Sequence, residues 1–217
     1  MDSKPKNFTE IRRRAAALLR RLRKAYPDAH CELDFKTPFQ LLVATILSAQ
    51  CTDKSVNLAT PGLFARYPDA KSLSQAAQKD VERLIKSIGL YRNKSKNIIA
   101  TARLLMEKHG GGVPQEMEAL VALPGVGRKT ANVVRFNAFG LPGLAVDTHV
   151  LRVGARLGLF QSQDPVEVEK RLGELLQPKD WGLMSHLLIW HGRRICAART
   201  PLCGQCTLNR LCPSSSA

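Results

Sequence analysis

The sequence predicts an all-α fold of about ten helices joined by short loops. Three observations predict it. Apolar residues recur at three- and four-residue intervals along most of the 217-residue chain, the spacing that puts them on one helical face. Start and stop signals bracket these stretches: Thr, Asp or Asp-Pro in front, glycine behind. No alternating apolar and polar run longer than a few residues interrupts them, so no sheet is expected. A hydrophobic content of 44% is enough for an ordinary core.

Residues 1–8 read as a frayed tail, after which Thr9 caps a helix carrying Ile11, Ala15, Leu18, Leu19 and Leu22 on one face. Arg12, Arg13, Arg14, Arg20, Arg21, Arg23 and Lys24 occupy the other, either as a solvated face or as phosphate contacts. Thr37-Pro38 starts a helix to Leu47 that is apolar on nearly every side and so belongs in the middle of a domain. The polar stretch Ser48–Asp53 closes it, with Thr52 available to cap the next helix. Gly89 ends a helix over Asp80–Ile88, and Gly110–Gly112 end another over Lys94–His109. Between them, Gly89–Lys94 reads as a loop with an exposed leucine and three potential phosphate partners, Arg92, Asn93 and Lys94. Helices follow over Gln115–Leu123, Arg128–Phe139, Asp147–Leu157 with Asp147 as N-cap, Asp164–Leu176, and Asp180–Ile195. Neither an internal repeat nor a low-complexity linker is present.

Thirty-three Lys and Arg against 18 Asp and Glu give a net charge of +15 and a pI near 10.0. That balance favours a polyanionic partner, nucleic acid first and an anionic membrane second. The membrane option weakens because no run of eighteen apolar residues exists and the chain opens Met-Asp-Ser-Lys-Pro-Lys, without the apolar stretch of a signal peptide. A soluble, cytoplasmic protein is expected, in which six cysteines argue against a disulfide framework.

The stretch Leu123-Pro-Gly-Val-Gly-Arg-Lys-Thr-Ala-Asn-Val-Val134 reads as helix, tight turn, helix. Gly125 and Gly127 let the backbone turn and leave amide N–H groups facing outward at a helix start, where a phosphate is favoured. Arg128 and Lys129 follow, and the positive end of the helix dipole favours the neutral amine that a nucleophile needs. The plainer alternative is two cations on a solvated face. Near the other end, Cys196, Cys203, Cys206 and Cys212 have the spacing x6, x2, x5. The wide arms suit a larger object such as an iron–sulfur cubane better than zinc, which more often takes paired Cys-x2-Cys units, although zinc stays open. Cys31 and Cys51 read as small core residues, as do Trp181 and Trp190 as core aromatics.

Taken together, Leu47-Ser-Ala-Gln50 with Thr52-Asp53, Ile88-Gly-Leu-Tyr91, the glycine turn through Val134, Val146-Asp-Thr-His149 and the four-cysteine ending resemble the endonuclease III family, in the helix–hairpin–helix superfamily of DNA glycosylases. The resemblance spans nearly the whole chain. It implies two helical domains flanking a DNA-binding groove: a six-helix barrel over 31–141, with its helix–hairpin–helix at 115–139, and an iron–sulfur domain built from 1–30 and 142–217. It implies a monomer that removes oxidised pyrimidines from duplex DNA, nicks the strand, and carries a [4Fe–4S] cluster on the four cysteines. Lys129 corresponds to the nucleophile and Asp147 to the catalytic carboxylate. Gln50 and Leu90 correspond to wedges that fill the gap left by a flipped nucleotide, Gly125, Gly127, Arg128 and Arg199 to DNA-backbone contacts, and Asp53 and His149 to the base pocket. A helix over 128–139 is about 18 Å long and the next eight residues span up to about 27 Å, so the chain has the length to bring Asp147 back to Lys129.

The chain departs from the pattern in two places: Arg199 is the lone cation of the cluster loop, and Cys51 stands beside Gln50. Three rival readings are weaker. A related adenine glycosylase has a small hydroxyl residue where Lys129 stands. A non-catalytic DNA-binding module would keep the hairpin without needing Asp147. A nucleotide-binding loop requires a Gly-x4-Gly-Lys-Thr spacing that Gly125–Thr130 lacks.

Overall fold

Lys129 and its glycine turn sit on a helical scaffold, and the computed structural model describes residues 8–217 of it. The tail expected over 1–8 lies outside these residues except for Phe8, which is already helical. Among the described residues there are eleven α-helices, three 3-10 turns and no strand. The chain divides into two compact units. One ends at Cys31 and resumes over Pro142–Ala217; the other is Glu32–Leu141.

The Glu32–Leu141 unit is built around α2 (Pro38–Leu47), whose residues are buried from Leu41 through Leu47. Thr37 caps it by accepting a hydrogen bond from Gln40 N, as its sequence predicts. Packed around it are α3 (Asp53–Arg66), α6 (Tyr91–His109) and α8 (Arg128–Phe139). The short helices α4 (Ala70–Ser74) and α5 (Gln78–Leu84) lie against α6, and α7 (Met117–Val121) against α8. Helix α4 owes its start to a reciprocal capping box between Asp69 and Ser72. Helix α7 is shorter than the Gln115–Leu123 expectation, because Gln115 and Glu116 lie outside it and Glu116 offers no side-chain cap.

In the other unit, α1 (Phe8–Ala25) buries Ala15, Leu18, Leu19 and Leu22 against α10 (Pro165–Leu175) and α11 (Trp181–Arg194), and α9 (Thr148–Arg156) packs on α11. Asp164 caps α10 through Val166 N and Glu167 N. Gly154 on α9 lies against Phe160, whose ring would be 2.4 Å from a Cβ there, so any larger residue would have to displace that ring. Trp190 is buried and donates through Nε1 to His30 O at 3.2 Å. Both tryptophans belong to packed interior surfaces, as expected.

Candidate nucleic-acid and catalytic site

The glycine turn is held from behind. Buried Thr101 on α6 donates to Pro124 O at 2.8 Å, and Val126 N donates to Leu123 O at 3.1 Å. Gly125 has φ +78, and a Cβ there would lie 2.9 Å from Asn97 Nδ2 and 3.2 Å from Ile46 Cγ2. It is glycine for conformation and for packing. Gly127 is different: its backbone is extended (φ −92, ψ 174), and nothing lies within 4 Å of a Cβ placed on it. The space beside it is open. The expectation that both glycines serve the turn therefore holds for Gly125 alone. Gly127 is the N-cap of α8, with Arg128 and Lys129 exposed in the first helical turn. An exposed glycine N-cap and an exposed amine thus share one helix start, a place that attracts an anion.

Asp147 is the N-cap of α9. Its Oδ1 accepts from His149 N at 2.8 Å and from Val150 N at 2.9 Å, while Oδ2 accepts neither bond. The residue is half-buried, and both cap bonds fall on one carboxylate oxygen. His149 packs on α11, where Gly192 leaves room for Nδ1, and that nitrogen lies 3.1 Å from Arg152 Nη2.

Gln50 and Leu90 are both exposed, Leu90 by 59%. They are the two non-glycine residues with positive φ among the described residues, at +56 and +58. Leu90 is the left-handed N-cap of α6, so residues expected in a loop form the first turn of that helix. Lys94 consequently leaves the surface: it is 4% exposed and its ammonium is spent on backbone carbonyls, which corrects its reading as a phosphate partner. Cys51 is half-buried and takes a hydrogen bond from Lys94 rather than filling the core. Thr52 caps α3 as expected, through Ser55 N. Asp53, on the first turn of α3, lines an open cavity with Glu32, Asp34, Lys54, Asn57 and Leu58.

The four clustered cysteines line one cavity of about 210 Å³ together with Arg156 and His191. No three His, Cys, Asp or Glu side chains among the described residues gather tightly enough to ligate a single ion. Four thiols around one cavity are a donor set that a metal–sulfur group can use. Donors face the sulfurs: Arg156 Nη1 lies 3.3 Å from Cys196 Sγ, and Leu208 N lies 3.4 Å from Cys206 Sγ. His191 bridges Tyr26 O–H at 2.9 Å and Cys206 Sγ at 3.6 Å. Burial pushes its imidazole down to about 4, so the ring is neutral near pH 7. Its Nδ1 faces Tyr26 and its Nε2 faces Cys206. Burial raises the Cys206 and Cys212 thiols, and the other cysteines of the set add to this. Hydrogen bonds to Ser216 hold Cys203 below the ordinary thiol range.

Arginines fix the loop that carries these cysteines. Arg156 donates to Ala197 O and Ala198 O, both at 2.7 Å, and Arg152 to Gly192 O at 2.9 Å and Cys196 O at 3.1 Å. From α1, Arg14 reaches Leu211 O at 2.5 Å and Arg21 reaches Thr207 O at 3.3 Å. Two members of the basic face of α1 are therefore structural. Arg199 stays exposed. Arg152, Arg156 and His191 escaped the sequence reading; the four-residue spacing of the two arginines on α9 was the available signal.

Residues 43–178 match the family described as HhH-GPD superfamily base excision DNA repair protein. Endonuclease III of Synechocystis sp. is 52% identical over the full length of both chains. The chain belongs to the endonuclease III family. Endonuclease III of Escherichia coli K12 is 46% identical across 90% of this chain and 92% of that one. Among solved structures, a trapped endonuclease III–DNA covalent intermediate in an estranged-adenine complex matches with TM-score 0.89 at 44% identity, covering 94% of this chain and 96% of that one. A non-covalent endonuclease III–DNA complex matches with the same values. Membership of the endonuclease III family makes the chain a base excision repair enzyme, and its all-α fold is the one its sequence predicts.

Proposed function

We propose that this endonuclease III family member is a bifunctional DNA glycosylase and AP lyase that removes oxidised pyrimidines from duplex DNA and nicks the strand, with Lys129 as nucleophile. The observation that carries the assignment is the start of α8, where an exposed Lys129 follows a glycine N-cap, Gly127, with open space beside it. A phosphate seated on the Gly125 and Gly127 amides positions the strand without reading its sequence. The Lys129 amine attacks C1′ of the damaged nucleotide, the C1′–N bond breaks and the base leaves. The C1′–O4′ bond then opens, O4′ taking the proton that the attacking amine gives up, and the Schiff base so formed acidifies the neighbouring C2′ proton, whose removal expels the 3′ phosphate by β-elimination. Asp147 serves that sugar through Oδ2, accepting a proton and stabilising positive charge at C1′, while Oδ1 keeps its cap bonds.

Arg128 and Arg199 contact the backbone, Gln50 and Leu90 fill the gap left by the flipped nucleotide, and Asp53 and His149 face the base. Cys196, Cys203, Cys206 and Cys212 would hold a [4Fe–4S] cluster, which when bound cross-links the loop carrying Arg199. The donors facing their sulfurs fit such a group. The enzyme acts as a monomer in the cytoplasm, on nucleoid DNA; no helix among the described residues is long and apolar enough to cross a membrane.

Borohydride trapping on a thymine-glycol duplex tests the mechanism. A covalent adduct that disappears in Lys129→Ala is expected. Absence of any adduct on oxidised pyrimidine or abasic duplexes sinks it. Iron analysis and visible absorbance of the purified protein test the cluster against zinc.

A further inference from the structure

Two side chains proposed to enter the duplex, Gln50 and Leu90, stand on different loops yet share an unusual backbone state. Both are left-handed, a conformation that side chains with a Cβ hold only when their surroundings enforce it. Buried Lys94, one turn into α6, bonds to the backbone of both loops. Its own N–H donates to Leu90 O at 3.0 Å, the first helical bond behind that residue. Its ammonium crosses to the other loop and donates to Leu47 O at 2.8 Å, Ala49 O at 2.6 Å and Cys51 Sγ at 3.1 Å. All three ammonium hydrogens are used. Leu47 O is a terminal carbonyl of α2, at the negative end of its dipole, so a cation there satisfies a group the helix itself leaves open. Ala49 O and Cys51 Sγ flank Gln50 on either side. The two loops also touch directly, since a Cβ on Gly89 would sit 3.5 Å from Cys51 Sγ.

We propose that Lys94 is a positioning residue, a clasp that locks Gln50 and Leu90 together in their left-handed conformations so that both side chains meet the DNA already set for insertion. This rests on the proposed role of those two residues as duplex wedges. It also gives Cys51 a task, as the third acceptor of the clasp. Rigid presentation spares the ordering of two loops at the moment of binding, when the helix must also be unstacked.

The test uses Lys94→Met, which keeps length and loses all donors, with Leu90→Ala as the reference for a missing wedge. The DNA is a duplex carrying 2-aminopurine opposite an uncleavable tetrahydrofuran abasic site, whose fluorescence rises when the base is unstacked. In folded Lys94→Met, affinity for undamaged duplex stays within about twofold. The 2-aminopurine rise falls to the Leu90→Ala level, and borohydride trapping slows by about tenfold or more on duplex abasic DNA but by much less on a single-stranded abasic strand. An unchanged fluorescence rise, or equal slowing on both DNA forms, overturns the proposal. Should wild type give no adduct at all, the lysine mechanism fails, and the uncleavable duplex still decides the clasp. Should the variant not fold, acylation of wild-type lysines followed by mass spectrometry decides. Lys94 reacts at least about 100-fold more slowly than Lys129 if its clasp persists, and comparable rates overturn it.

Discussion

Asp147→Asn separates two jobs held by one carboxylate. Both cap hydrogen bonds fall on Oδ1, 2.8 Å from His149 N and 2.9 Å from Val150 N, so an asparagine amide oxygen can keep them. Asparagine ranks with aspartate as an N-cap, and its loss of charge at a helix start costs only about 0.3–1 kcal/mol. Alanine loses the cap as well, for a further ~1 kcal/mol. At roughly 2–4 °C per kcal/mol for a chain of this size, Asn lowers Tm by about 1–4 °C and Ala by several degrees more. Turnover does not follow that order. Both variants lose the carboxylate needed at the sugar, a loss of about 10²–10⁴ in rate, or about 3–5 kcal/mol of barrier. The assay is single-turnover base release and nicking on a thymine-glycol duplex, run beside thermal melts and binding by anisotropy. Turnover by Asp147→Asn within about threefold of wild type would refute the catalytic role and leave Asp147 as a cap.

Gly125→Ala destabilises by about 2–4 kcal/mol from left-handed strain and overlap with Asn97 and Ile46, read as a lower denaturation midpoint. Gly127→Ala stays within about 1 kcal/mol of wild type but binds DNA about tenfold more weakly, because its methyl stands where a phosphate approaches. Arg199→Ala weakens binding alike on all sequences and lowers the salt slope by about 1 in a titration against salt. Burial, with His30 a lesser cause, holds the His186 imidazole down at about 4 against 6.5 when unfolded. The unfolded chain therefore binds the extra proton first, and stability falls as pH drops from 6.5 to about 4, by on the order of 3 kcal/mol. Denaturation curves across that window should show a shallower fall in His186→Asn.

Features written in adjacent residues were legible. Thr37, Thr52, Asp147 and Asp164 announce helix starts because a cap acts within three residues. The turn at Gly125 and the start of α8 behind it were marked by the glycine spacing, which acts within a few residues. What escaped depends on residues far away in the chain. Nothing near Leu90 marks a left-handed cap; the lysine proposed to lock that state has partners 43–47 residues back. Arg14 looked like its neighbours on a basic face, and only its bond to Leu211, 197 residues on, sets it apart. Gly127 was recognised for a reason that proved to belong to its neighbour, since a short glycine pattern does not distinguish a turn from a vacancy.

The bond between Arg14 and Leu211 also has a meaning for the growing chain. Helix α1 leaves the ribosome early, but α10, α11 and the cysteine loop it packs against are made last. At about 5–20 residues per second, roughly 10–40 s pass before its counterpart exists. Through that interval Leu18, Leu19 and Leu22 have no native surface to cover them, while the Glu32–Leu141 unit already has all of its own sequence. The arginines that end as fasteners of the cysteine loop first act as solubilisers of a waiting helix, and slowing translation near residue 200 should lengthen the time the nascent chain is open to chaperones.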